Sequence, residues 1–320
     1  MTDKPALLLL DPVEPAFDAA LTARFDLTRA EGDLEAALAA CGGKVRAVVS
    51  RGGIPVDAAL MDRLPKLEIV AGFGVGYDVI DAVTAAARGI VVTHTPDVVD
   101  DEVADLAVAL LLAAIRRIPQ ADAFVRAGHW AKGPMPLSAT LRGRRVGLVG
   151  MGRIGQAIAT RLAGFGVEIC YHARHARPGL SPRYFGTLID LATYCDTLIV
   201  VVPGGAETRN LIDAAVLEEL GPEGVLVNVA RGSVVDEAAL VDALERNVIL
   251  AAGLDVFAAE PEVPAALLAR DDVVLLPHIG TSTHHTRAAM GALVLANLES
   301  FFERGRTLTP VPESRGLPSA

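Results

Sequence analysis

"RRVGLVGMGRIGQAIATRL", residues 144–162, sets glycines 150, 152 and 155 in G-x-G-x-x-G spacing directly after a run that reads as a strand and directly before one that reads as a helix. The spacing alone is a weak signal; in that setting it is a strong one. The first glycine permits a tight turn, the second lets backbone approach a pyrophosphate, and the third lets helix and strand pack closely. The N-terminus of the helix then faces the phosphates. The stretch reads as the opening turn of a dinucleotide-binding α/β fold, with Gly150, Gly152, Arg153, Ile154 and Gly155 around the cofactor.

The next strand decides which dinucleotide. In an NAD site it ends in Asp or Glu, which accepts both hydrogen bonds of the adenosine ribose. Here "VEICYHARHARPG", residues 167–179, ends in His172, Arg174, His175 and Arg177 instead. Guanidinium groups pair with phosphate in a bidentate way, so the missing acid and the added cations together point to the 2′-phosphate of NADP(H).

Around this turn the chain alternates strands and helices. "ALLLLD", "VRAVVS", "LEIVAGF" and "IVVTHTP" precede it, and "DTLIVVVP", "GVLVNVA", "ILAAGLDV" and "VVLLPHIG" follow. Such alternation implies parallel strands with right-handed crossovers, and the unbroken apolar runs imply sheets covered on both faces. We expect two doubly wound domains, with long helices at about residues 101–118 and 283–304 as crossing points between them. A length of 320 residues with 52% hydrophobic content is enough for two cores.

A formal charge of −10 argues against nucleic acid or an anionic membrane as partner. The apolar runs are too short to cross a bilayer or to act as a leader. Three scattered cysteines, at 41, 170 and 195, suggest neither a disulfide framework nor a zinc site and fit a reducing cytosol.

Three further segments end strands and carry polar residues that packing does not ask for: "NVARGSVVDE" with Arg231, "GLDVFAAEP" with Asp255 and Glu260, and "LLPHIGTST" with His278. Ligands of open α/β sheets bind at the carboxyl ends of strands, so these segments should converge. Hydride transfer to a ketone needs a cation to hold and polarise the substrate, a proton donor for the developing alkoxide, and a carboxylate to orient that donor. Arg, His and Glu meet the three needs.

With "AGFGVGYDVID", "TPDVVDDEVADLAVALLLA", "LRGRRVGLVGMGRIG" and "PGGAETRNLI" in the same order, the chain resembles the D-isomer-specific 2-hydroxyacid dehydrogenases over nearly its whole length. In its basic cluster it is most similar to their NADPH-dependent glyoxylate and hydroxypyruvate reductases. The resemblance implies a flavodoxin-like substrate domain of residues 1–98 and 285–320 and a Rossmann cofactor domain of residues 99–284, with a cleft that closes between them. It implies that Arg231 binds the 2-oxo acid, that His278 is the general acid and base, and that Glu260 pairs with His278. Substrate contacts are implied at Arg51, Gly52, Val75 and Gly76, and cofactor contacts at Pro203, Thr208, Val229, Ala230, Asp255 and Gly280. It also implies a homodimer through the cofactor domains, with Trp130 either packing at the dimer arm or bordering the neighbouring subunit's pocket. Asp100 departs from the threonine found in many relatives. A 2-ketogluconate or other sugar-acid reductase would use the same catalytic groups, and a dinucleotide-sensing corepressor would reuse the same fold.

Overall fold

The computed structural model describes residues 4–317. The chain divides into two compact units, residues 1–99 with 283–320 and residues 100–282.

The first unit is built on β1 (Ala6–Leu9), β2 (Asp26–Arg29), β3 (Ala47–Ser50), β4 (Ile69–Gly72) and β5 (Val91–Thr93), all parallel, in the order β2-β1-β3-β4-β5. This is the flavodoxin-like order, whose switch point lies between β1 and β3. The strands β1, β3, β4 and β5 are buried throughout, as strands covered on both faces must be. The helix His284–Arg304, capped by the Thr283 side chain and stopped by Gly305 in the left-handed region, returns the chain to this unit.

The second unit carries β6 (Arg145–Val149), β7 (Glu168–His172), β8 (Arg183–Phe185), β9 (Thr197–Val200), β10 (Val225–Asn228), β11 (Ala251–Leu254) and β12 (Val273–Leu275). Their order is β12-β11-β10-β9-β6-β7-β8, again all parallel, which is the Rossmann order extended by one strand. Leu148, Ile199 and Val227 are fully buried on one face and Leu198 and Leu226 on the other. Truncating any of these leucines or Ile199 to alanine costs roughly 2–5 kcal/mol.

One helix and two strands differ from the sequence reading. The apolar helix foreseen at residues 101–118 spans Asp100–Arg116; Arg117 is left-handed with φ 53°, and a separate helix, Ile118–Arg126, begins there. Pro119 is the cause, because its ring clashes with the carbonyl four residues back and it has no N–H to continue the ladder. The strands β2 and β8 were not foreseen. Both are short edge strands without a buried apolar run.

Among the described residues no helix is long and apolar enough to cross a membrane. The three cysteines are buried and free.

Candidate active site

The glycine turn follows β6. Gly150 has φ 109°, and a Cβ there would lie 2.9 Å from the Val201 carbonyl oxygen. A Cβ on Gly155 would lie 2.4 Å from the Gly150 oxygen, so the helix Arg153–Leu162 meets the turn at a distance only glycine allows. Gly152 caps that helix without a side-chain hydrogen bond, and a Cβ on it would meet no atom within 4 Å. A helix N-terminus with uncapped N–H groups and open space before it suits a pyrophosphate. Arg153 forms an ion pair with Asp100 at 3.2 Å, which gives the residue that departs from threonine a role in fixing the first turn.

The end of β7 is tied to the same turn, since the Gly150 N–H donates to the His172 carbonyl at 2.9 Å. The His172 ring donates from Nδ1 to the Phe185 carbonyl of β8 at 3.0 Å, which leaves Nε2 as its other polar atom. Arg174, His175 and Arg177 are exposed. The Tyr171 hydroxyl accepts from the Arg177 N–H at 2.8 Å and the Tyr184 hydroxyl donates to the Ala173 carbonyl at 3.2 Å, so the exposed cations stand on a tethered loop. Pro203 and Thr208 belong to the turn after β9, where the Thr208 hydroxyl donates to the Pro203 carbonyl at 2.7 Å.

After β10, Asn228 holds the loop that carries Val229, Ala230 and Arg231. Its Oδ1 accepts from the Ala230 N–H at 3.0 Å and its Nδ2 donates to the Arg231 carbonyl at 2.9 Å. Asn228 belongs to no motif of its own. Its signal was a polar residue closing the apolar run "VLVN". The Arg231 guanidinium donates to the Ala230 carbonyl at 2.8 Å. Gly232 follows because a Cβ there would sit 1.8 Å from the Phe257 carbonyl carbon.

The loop after β12 is fixed by Asp255, at the end of β11. Its carbonyl accepts from the His278 N–H at 2.8 Å, its Oδ1 from Ile279 at 2.7 Å and its Oδ2 from Gly280 at 2.9 Å. Three consecutive N–H groups thus converge on one residue. They hold His278 at φ 53°, a left-handed conformation that costs a non-glycine residue on the order of 1–3 kcal/mol. Burial raises the Asp255 carboxyl above its ordinary range, against the lowering effect of the Ile279 and Gly280 N–H groups and the His278 charge.

Glu260 completes the arrangement. Its Oε2 accepts from His278 Nδ1 at 2.7 Å and its Oε1 from the Phe257 N–H at 3.0 Å. Phe257, Pro261, Val263, Leu275, Leu276 and Pro277 surround the pair with apolar groups in a hollow of about 250 Å³. That burial pushes the Glu260 carboxyl up. The hydrogen bonds from His278 and Phe257, with the charges of His278 and Arg231, outweigh it and leave the carboxyl below its ordinary range. The pair fixes how the imidazole ring is turned, with Nε2 as its other polar atom.

Arg51, Gly52, Val75 and Gly76 belong to the other unit, in loops after β3 and β4. There the Arg51 guanidinium donates to the Pro12 carbonyl at 2.6 Å, and the Val75 carbonyl accepts from His94 Nδ1 at 2.9 Å.

Residues 108–280 match the family model of the D-isomer specific 2-hydroxyacid dehydrogenase NAD binding domain. The chain is 44% identical to hydroxyphenylpyruvate reductase of Plectranthus scutellarioides, over 95% of this chain and 98% of the relative. It is 43% identical to 2-ketogluconate reductase of Gluconobacter oxydans, over 97% and 100%. The NADPH-dependent glyoxylate/hydroxypyruvate reductase of Sinorhizobium meliloti, solved in complex with NADP and malonate, superposes with a TM-score of 0.94 at 48% identity, covering 99% of each chain.

The depressed carboxyl of Glu260 has a consequence for stability. A carboxylate whose folded pKa lies below its unfolded value of about 4.3 contributes stability that is fully present above that value and is lost as the pH falls through the folded one. Asp255, raised by burial, works with the opposite sign, its contribution being present at low pH and lost as the pH rises through its folded value. Replacing Glu260 by Gln removes the first of these effects and leaves the second largely in place, since the Glu260 charge is the smallest of the causes acting on Asp255. We expect Glu260→Gln to flatten the fall of stability below about pH 5, measured as urea midpoints from pH 3 to pH 7. An acid limb identical to that of the parent would show that the pair carries no such linkage.

Proposed function

The chain belongs to the D-isomer specific 2-hydroxyacid dehydrogenases, and on that premise we propose that it reduces small 2-oxo acids, glyoxylate and hydroxypyruvate foremost, to D-2-hydroxy acids with NADPH. The observation that carries this reading is the 2.7 Å His278–Glu260 pair within reach of the Arg231 charge, at the carboxyl edge of the sheet that bears the glycine turn.

When bound, the dinucleotide supplies the hydride that the carbonyl carbon accepts. Gly150, Gly152 and Gly155 leave room for its pyrophosphate, Arg153 and Ile154 open the helix that faces it, and the turns carrying Pro203, Thr208, Val229, Ala230 and Gly280 border it. Arg231 holds the substrate through its planar fork and draws charge toward the carbonyl oxygen. As the carbon is reduced, that oxygen becomes an alkoxide and takes the proton from His278 Nε2. Glu260 stabilises the imidazolium before transfer and fixes the ring through Nδ1. Asp255 acts through the backbone it holds. Val75 and Gly76, with Arg51 and Gly52, hold the substrate carboxylate end.

NADPH is favoured over NADH because β7 ends in His172 with Arg174 and His175 beyond it, where a ribose-binding acid would stand. A sugar-acid substrate is a second reading, favoured by the likeness to the Gluconobacter 2-ketogluconate reductase. Initial rates of NADPH oxidation over glyoxylate, hydroxypyruvate, pyruvate and 2-ketogluconate separate the two. The three free cysteines support a cytosolic location. A homodimer through the second unit is supported by the helix Ile118–Arg126, which buries none of its residues, and by Ile118, Val125, Trp130 and Leu137, exposed at 52%, 53%, 69% and 98%. Such apolar groups belong at an interface.

Three outcomes are expected. His278→Asn should lower kcat by at least about a hundredfold while cofactor affinity changes little, and near-normal turnover by the folded variant would remove His278 from its role. Arg174→Ala should weaken NADPH by about 1.5–3 kcal/mol and leave NADH nearly unaffected, with His172→Asp moving the preference further toward NADH. Equal affinity of the unaltered protein for both cofactors would make the cluster a solvated loop. Leu137→Asp combined with Trp130→Ser should shift the sedimenting species from dimer to monomer; a dimer that persists would place the interface elsewhere.

A further inference from the structure

The turn that presents Glu260 is held by a second carboxylate from elsewhere in the same unit. Glu237 opens the helix Glu237–Glu245, and the helix is capped by its neighbour Asp236, which accepts from the Ala239 N–H at 3.1 Å. The Glu237 side chain is therefore not needed as the cap. Its Oε1 instead accepts from the Ala258 N–H at 2.8 Å, across 21 positions of sequence. The preceding N–H, that of Phe257, goes to Glu260 Oε1 at 3.0 Å. Two successive N–H groups of one turn are thus divided between the carboxylate that meets His278 and a carboxylate of the helix after Arg231.

The same peptide is also fixed by packing. Gly232 lies against it so closely that a Cβ would overlap the Phe257 carbonyl and the Ala258 nitrogen. Between Gly232 and Glu237 the backbone is tied to the loop after β9. The Asn210 N–H donates to the Ser233 carbonyl at 2.8 Å, the Ile212 N–H to the Val234 carbonyl at 3.0 Å, and the Asp236 N–H to the Ile212 carbonyl at 2.9 Å. The stretch from Arg231 to Glu237 has a set course and meets the Glu260 turn twice, by contact at Gly232 and by hydrogen bond at Glu237. Ala258 is exposed, so water could satisfy its N–H. What the carboxylate adds is direction.

We propose that Glu237 is a positioning residue for proton transfer, and that it sets the Phe257–Glu260 turn so that Glu260 Oε2 meets His278 Nδ1. Without its bond the Phe257–Ala258 peptide can tilt about the contact with Gly232. Glu260 would move with that peptide, because one of its oxygens is held by the Phe257 N–H. A misplacement of about 1 Å in a catalytic arrangement costs on the order of a hundredfold in rate. The brace runs between the loops after β10 and β11 and leaves the glycine turn after β6 outside it, so it governs turnover rather than cofactor affinity. This role rests on the reductase reading given above.

The test measures kcat with NADPH and hydroxypyruvate, and NADPH affinity by fluorescence titration, in the parent, Glu237→Met, Glu237→Gln, Glu260→Ala and the double variant Glu237→Met with Glu260→Ala. Methionine keeps the length without an acceptor, whereas the glutamine carbonyl still accepts from Ala258. We expect Glu237→Met to lower kcat at least about tenfold with NADPH affinity nearly unchanged, and Glu237→Gln to recover most of the loss. In the Glu260→Ala background Glu237→Met should cost less than about twofold, since the turn then has no carboxylate to place. A general structural role would lower kcat by the same factor in both backgrounds, and that result overturns the proposal. Near-parental turnover by Glu237→Met, a glutamine variant as slow as the methionine one, or a fall in NADPH affinity that matches the fall in kcat also overturns it. Each of these leaves the reductase reading standing. A parent that binds NADPH and reduces no 2-oxo acid overturns that reading and the positioning role with it.

Discussion

Parallel pairing of the strands is the constraint from which the rest of the arrangement follows. A parallel strand returns only by a crossover, so every loop that leaves a strand's carboxyl end lies on one edge of its sheet. In the seven-stranded sheet that edge collects the glycine turn after β6, the cationic loop after β7, Arg231 after β10, Asp255 after β11 and His278 after β12. The residues are as far apart as positions 150 and 278, yet no long-range device beyond the sheet is needed to gather them. The five-stranded sheet obeys the same rule and gathers Glu14, Arg51 and Phe73 on its own carboxyl edge.

Within the candidate active site, two carboxylates divide the electrostatic work. Asp255 is 2% exposed and accepts a backbone N–H at each oxygen, so its charge holds a loop. Glu260 spends one oxygen on the Phe257 N–H and the other on His278. The first arrangement fixes where the histidine backbone lies and the second fixes how its ring is turned. Neither alone would suffice, since a left-handed backbone relaxes without its three hydrogen bonds and an imidazole rotates without a partner at Nδ1.

Much of this was legible in the sequence because the signals were local. The glycine spacing, the unbroken apolar runs and the polar residues that close them identify the sheet, its sense and the edge that bears chemistry. The strands β2 and β8 were not legible, since an edge strand covered on one side carries neither a buried run nor a clean alternation. The break at Arg117 was missed although Pro119 announced it, because the apolar pattern runs on through Ile118. Asn228 was silent for another reason. A polar residue at a strand end or in the first turn of a helix has many uses, and only the three-dimensional neighbours select one.

The same separation bears on why similarity alone does not name the substrate. Relatives of 44% and 43% identity carry names for an aromatic 2-oxo acid and a sugar acid, although both cover nearly the whole chain. Groups that act on the carbonyl cannot distinguish such acids, because the reacting carboxylate and carbonyl are common to all of them. Discrimination must come from residues that meet what lies beyond the carbonyl. Residues of that kind can vary while the groups that act on the carbonyl stay the same, so substrate range can drift within one catalytic design while overall identity stays high.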